Sequence, residues 1–178
     1  MLKKVGIAVV FALLILIGLI AMQPSDFRLE RKATIAAPPA TVYALVDNFK
    51  AWDDWSPWAK IDPAMKKTLS GPERGVGAIY EWEGNDDVGK GRMEIIEAVD
   101  QQKIKIDLNF IAPFAARNET VFTFENQGDG TQVTWSMSGT NNFMAKAFDL
   151  FVDMDKMVGA DFDKGLGQLK ALSEKSKL

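Results

Sequence analysis

From Met65 to Ser138, apolar and polar residues alternate in run after run, and the links between runs are too short to hold a helix. Met65, Lys67 and Leu69 alternate ahead of Gly71-Pro72, and Ala78-Ile-Tyr-Glu-Trp82 follows Gly75-Val-Gly77. Next come Arg92–Ala98, Lys103–Phe110, Glu119–Glu125 and, past the turn signal Gln127-Gly-Asp-Gly130, Thr131–Ser138. A period of two marks strands with one buried face, and short links between strands require antiparallel neighbours. The pattern therefore predicts a curved antiparallel meander. Parity puts Ile104, Ile106, Leu108 and Phe110 on one face, Thr120, Phe122 and Phe124 on one face, and Val133, Trp135 and Met137 together.

Two helical regions flank the meander. Asp26–Ala36 alternates as a strand, with Phe27, Leu29, Arg31, Ala33 and Ile35 on one side. Ala37-Pro-Pro39 ends it, and Val42, Leu45, Val46 and Phe49 follow at helical spacing. Trp52, Trp55 and Trp58 recur every three residues, with Pro57 barring one continuous helix. They read either as a plug at one end of the core or as an aromatic rim at a pocket mouth. From Asn141 or Asn142, which can cap, one apolar stripe runs from Phe143 to Leu172 and predicts a long final helix. Gly159, Gly165 and Gly167 interrupt it, allowing close approach to a sheet or leaving room beside it. Asp149, Asp153, Asp155, Asp161 and Asp163 mostly fall off the stripe and read as solvated.

Val5–Met22 carries no charged residue, follows Lys3-Lys4 and stops at Gln23-Pro-Ser25. Its length is at the lower end of what spans a bilayer. It reads as an uncleaved anchor over residues 1–24, with a cleaved signal as the competing reading, and residues 25–178 read as the folded domain. The lysines favour a cytoplasmic N-terminus and a domain on the exported side, periplasmic or extracellular.

Composition narrows the chemistry. The 178 residues include no Cys and no His, which excludes Cys/His zinc sites, thiol nucleophiles and His-based triads. No metal or cofactor is expected, and no residue is assigned a catalytic role. The net charge of −3, without a basic stripe, argues against nucleic acid. The glycines of Gly71–Gly77 and Gly84–Gly91 form no phosphate-loop pattern and read as turn and bulge positions. Nothing in the sequence sets an oligomeric state.

The order strand, two short helices, six strands, long helix resembles the SRPBCC superfamily (START-like, Bet v 1-like), which holds polyketide cyclase/dehydrase and lipid-transport proteins. The stretches that carry the resemblance are Ala37-Pro-Pro-Ala-Thr-Val-Tyr-Ala-Leu-Val46, Trp52-Asp-Asp-Trp-Ser-Pro-Trp58, Asp62-Pro-Ala-Met65, Gly71-Pro72, Gly75-Val-Gly-Ala78, Asp153-Met-Asp-Lys-Met-Val-Gly159 and Gly165-Leu166. The resemblance implies an α+β helix-grip fold. A curved seven-stranded antiparallel sheet would wrap a long C-terminal helix around an apolar cavity.

Three functions follow as expectations. The first is a membrane-tethered binding or carrier domain for a small hydrophobic ligand, lipid- or polyketide-like. Strand parity and the helix stripe select its lining as Trp58, Tyr80, Trp82, Ile106, Leu108, Phe122, Trp135, Met154, Val158 and Phe162. The second is a cyclase or hydratase in the same pocket. Tyr80 is then the candidate acid or base, Glu81 faces away, and Asn118 and Thr120 are placed to orient a polar group. The third is a structural or partner-binding domain with a filled core.

Overall fold

The computed structural model describes residues 2–175. Helix α1 (Leu2–Met22) precedes β1 (Asp26–Ile35), α2 (Pro39–Val46), a 3-10 turn at Phe49–Ala51 and α3 (Trp52–Trp55). Strands β2 (Lys66–Ser70), β3 (Ile79–Glu83), β4 (Lys90–Val99), β5 (Lys103–Ala112), β6 (Ala116–Gln127) and β7 (Gly130–Thr140) follow. The chain then forms α4 (Phe143–Asp149) and α5 (Met154–Lys175). All seven strands form one antiparallel sheet in the order β1-β7-β6-β5-β4-β3-β2. Only the β1–β7 pairing departs from nearest-neighbour order. It closes the meander by bringing the first strand beside the last.

The alternation seen in the sequence is the burial pattern of the sheet. Ile104 and Ile106 are fully buried and Leu108 nearly so, while Thr120, Phe122, Phe124, Val133, Trp135 and Met137 join them on the concave face. The convex face carries charges in pairs such as Lys105–Glu119 and Arg92–Glu94. Helices α2, α3 and α5 cover the concave side, with α5 packed chiefly along β1. Glycines 71, 75, 77, 89 and 128 all take positive φ, as turn positions do.

Two expectations for the final segment need correction. It is not one helix. Leu150–Asp153 separates α4 from α5, and the Asp153 carboxylate accepts the backbone N–H of Lys156 at 3.0 Å. An aspartate there satisfies an otherwise orphaned donor of a new helix, so it starts α5 rather than continuing α4. Four of the aspartates read as solvated are engaged: Asp153 caps α5, Asp149 accepts a hydrogen bond from the Asn141 side chain at 2.6 Å, and Asp155 and Asp163 pair with a cation. Arg31, on the inward side of β1, reaches both, at 3.0 Å and 3.4 Å. A cation placed at a concave position by strand parity finds its counter-charge on the helix that covers it.

Candidate functional site

The interior is built from rings. Trp52 and Trp55 of α3 are buried and donate their indole N–H groups to the carbonyls of Val46 and Leu45, each at 2.9 Å. Two of the three spaced tryptophans are therefore pinned to the end of α2 as a plug. Trp58 is half-buried and meets Trp135 and Phe162 edge-on, at centroid distances of 5.8 and 6.3 Å. Trp135 itself is sandwiched, with Phe162 at 4.0 Å on one side and Phe122 at 4.8 Å on the other. The expected lining residues Trp58, Phe122, Trp135 and Phe162 thus touch one another, and the space between α5 and the middle of β6 and β7 is occupied by their rings.

The rest of the expected lining falls elsewhere. Tyr80 and Trp82 lie side by side on β3 with centroids 6.0 Å apart, and Trp82 meets Phe110 of β5 at 5.9 Å. Both remain partly exposed, as do their concave-face neighbours Met93 and Phe110. Leu108 pairs with Met93, and Met93 with Tyr80, so these three form one row across β5, β4 and β3. Ile106 is buried between the two regions. Met154 and Val158 occupy the first turns of α5 and are half-buried. Phe49 bridges the two regions, contacting Trp52 at 5.3 Å and Tyr80 at 6.0 Å.

Met93 and Phe49 are the residues that sequence reasoning missed. In β4 the pairing register slips between Ile95 and Glu97, so alternation does not carry a single parity through the strand. Phe49 lies in a 3-10 turn, where neither a period of two nor of 3.6 applies. Phe110 carried a clear signal, since it shares the parity of Leu108.

Polar atoms reach the concave face at few points. Asn118 and Thr120 face inward and are buried, and Glu81 faces outward, as strand parity predicts. The Thr120 hydroxyl and the Trp135 indole N–H are buried without a hydrogen-bond partner. Leaving such a group unpaired costs about 1–3 kcal/mol, so both are ready to bond an incoming polar group or water. Burial, and secondarily the charge of Asp53, push the Tyr80 phenol up to about 12. At neutral pH it is a neutral hydrogen-bonding group and a poor base.

Asp53, whose charge acts on Tyr80, is paired with Lys67, and the carboxylates of β4 and β5 are engaged on the convex side of the sheet. Glu94 pairs with Arg92, Glu97 with Lys103, and Asp107 with Arg117 at 2.8 Å. That last contact, with a further hydrogen bond from Asn109, holds the Asp107 carboxyl below its ordinary range. Asp47 is buried near Arg74 and Asp100, and burial raises its pKa. Among the described residues, no group of three or more His, Cys, Asp or Glu side chains is arranged to hold a metal.

Comparison with known proteins agrees with this architecture. The family described as "Polyketide cyclase / dehydrase and lipid transport" matches residues 26–174. No curated protein matches the sequence. Among solved structures, protein CV1439 from Chromobacterium violaceum is 20% identical, with a TM-score of 0.59 over 85% of this chain and 99% of its own. Ara h 8.0201 is 13% identical, with a TM-score of 0.58 over 83% of this chain and 97% of its own. The di-domain ARO/CYC StfQ of the steffimycin biosynthetic pathway is 11% identical, with a TM-score of 0.63 over 86% of this chain and 52% of its own. At these identities the structures show a shared fold alone. With its helix-grip sheet, covering C-terminal helix and a family match over residues 26–174, the chain belongs to the SRPBCC family of polyketide cyclase/dehydrase and lipid-transport domains.

Proposed function

We propose that this chain is a membrane-tethered binding or carrier domain for a small hydrophobic molecule, held on the concave face over β3–β5 beside α5. The observation that carries the reading is the pairing of a partly exposed apolar row with buried, unpartnered polar atoms. Tyr80, Trp82, Met93 and Phe110 offer apolar surface, and the Thr120 hydroxyl and Trp135 N–H are unsatisfied on the same face. A mostly apolar face with few polar atoms suits a lipid- or polyketide-like molecule. The ring stack beneath α5 limits how deep such a molecule can lie, and favours the β3–β5 side.

Tethering is supported by α1, which is apolar from Val5 onward and exposes nearly every residue to its surroundings. In this reading α1 is an uncleaved anchor, Lys3 and Lys4 stay in the cytoplasm, and residues 25–178 stand on the exported side. A phosphatase fused after Leu178 is then active only in an exported compartment.

The test of binding is native mass spectrometry of the full chain extracted from its host membranes. A hydrophobic adduct is expected on the wild type and is lost in Met93→Trp, which fills the concave row. A wild-type chain without any adduct favours the filled-core reading. An enzyme of the cyclase type is favoured by one feature, the Tyr80 hydroxyl on the same face. Turnover of a polyketide-like substrate that vanishes in Tyr80→Phe would move the protein to that class.

A further inference from the structure

One end of the sheet gathers chain segments that are far apart in sequence. Only Gln23–Ser25 separate the end of α1 from β1. Three residues span at most about 11 Å, so any plane that holds the end of α1 also holds the start of β1 close by. Asp26 pairs with Thr140, and the backbone N–H of Asn141 donates to the Ser25 carbonyl at 2.6 Å, which sets the start of α4 at the same place. Strands β7, β6 and β5 lie in order beside β1. With strands roughly 4.8 Å apart, the β5–β6 connection lies about 10–14 Å across the sheet from the start of β1.

This end is also where large apolar side chains are left outside. Ile111 and Phe114, on the charge-free connection Ile-Ala-Pro-Phe-Ala-Ala116, are 54% and 70% exposed. Phe143, Met144 and Phe148 of α4 are 49%, 62% and 49% exposed. At 100° per residue these three fall within an arc of about 140°, with Lys146 and Asp149 outside it. Helix α4 also lies against α1, whose Ile20 is buried near their meeting point. The opposite end of the sheet, at the β6–β7 turn, is polar: Asn126, Gln127, Gly128 and Asp129.

We propose that the β5–β6 connection and the apolar arc of α4 dip into the surface of the same lipid bilayer that α1 enters. Two observations single out lipid as the occupant. Helix α1 is charge-free over Val5–Met22, roughly 27 Å, which is close to the hydrocarbon thickness of a bilayer. Its short link to β1 also keeps this end of the sheet close to the surface of any bilayer that α1 enters. The consequence is functional. Trp82 and Phe110 lie next to this edge, since Phe110 pairs with Ala116 and Gly91 with both Phe110 and Trp82. The partly exposed end of the concave face therefore opens toward lipid, and a hydrophobic molecule reaches it from the bilayer without crossing water. The inference rests on the anchor reading of α1, and its test separates the two.

The chain has no cysteine, so single cysteines can be introduced without removing any. The full chain is reconstituted in vesicles of phosphatidylethanolamine and phosphatidylglycerol, with a spin label at Phe114→Cys, Phe148→Cys, Leu13→Cys or Asp129→Cys. Collision of the label with oxygen, which concentrates in lipid, is compared with collision with a water-soluble nickel chelate. The expected result is an oxygen-over-nickel ratio at 114 and 148 shifted toward that at 13 and well above that at 129. Labels at 114 and 148 that match 129, while 13 lies in lipid, overturn the docking and leave the anchor standing. A label at 13 that reads as water overturns both. Low nickel access at 114 and 148 with spectral broadening between labels places a second copy of the chain on this edge and overturns the lipid assignment.

Discussion

Trp135 of β7 and Phe162 of α5 stack face to face, with centroids 4.0 Å apart and planes 9° from parallel. Both rings are 2% exposed, so this contact joins the sheet to the helix that grips it at the centre of the core. Phe162→Ala should destabilise the domain by about 3–5 kcal/mol, through lost apolar contact and the cavity left beside Trp135. Phe162→Leu should cost less, because it keeps more of the volume. Denaturant melts of the three proteins check the order. Equal stability of the alanine variant and wild type would mean that the stack contributes nothing.

The three glycines of α5 should respond differently to alanine. A Cβ on Gly165 would meet the Trp135 ring at 2.8 Å and Pro57 at 3.0 Å. Neither neighbour can yield easily, so Gly165→Ala should cost about 1–3 kcal/mol by overpacking. A Cβ on Gly159 meets the Arg31 guanidinium, the end of a flexible side chain whose acidic partners are mostly exposed. Its displacement should cost no more than about 1 kcal/mol. Gly167 has open space beside it, and Gly167→Ala should stabilise the helix by about 0.5–1 kcal/mol. Thermal melts of the three single variants read out the signs.

Thr120→Val should separate stability from binding. The Thr120 hydroxyl is buried and unpaired, so replacing it with an isosteric methyl should raise the stability of the ligand-free chain by about 1 kcal/mol. The same change removes one of the polar atoms on the concave face, so affinity for a hydrophobic probe with a polar head should fall. A variant that is less stable, or binds such a probe more tightly, contradicts the proposed role of this hydroxyl.

Asp47 supplies a pH dependence. Burial, reinforced by Asp100 and opposed by Arg74, raises its pKa above the ordinary aspartate value. A carboxyl with a raised folded pKa holds its proton more tightly in the native state than in the unfolded chain. Its contribution to stability therefore falls as pH rises from the unfolded value near about 4 through the raised folded value, and is level beyond it. Asp47→Asn should remove that fall, so the variant gains on wild type as pH rises and the gain disappears in acid. Denaturant midpoints measured across pH test this, and a difference that does not change with pH would exclude Asp47 as the cause.

Much of the fold was legible before any coordinates, because strand parity is a local property. One buried face imposes a period of two, and that period placed Ile104, Ile106, Phe122, Val133 and Trp135 inward without knowledge of their partners. The same logic put Arg31 on the inward side of β1, beside Leu29 and Ala33. The break between α4 and α5 was less legible. The apolar stripe continues across Leu150–Asp153, and only the Asp153 carboxylate, bonded to Lys156 N–H, shows that a second helix begins.

By itself the sequence determined the seven strands, the inward face of most of them, the apolar segment at the N-terminus and the absence of thiol and imidazole chemistry. These depend on residue type and spacing within one element. The tertiary structure decided which inward residues meet. Trp135 and Phe162 belong to one filled stack, Tyr80, Trp82 and Phe110 to a separate and partly open region, and Ile111, Phe114 and Phe148 to the edge where α1 leaves the domain. Parity assigns a side chain to a face. Its row across the sheet depends on pairing register, bulges and the angle at which α5 crosses, and these are set by contacts between residues that can lie more than a hundred positions apart, as Arg31 and Asp155 do.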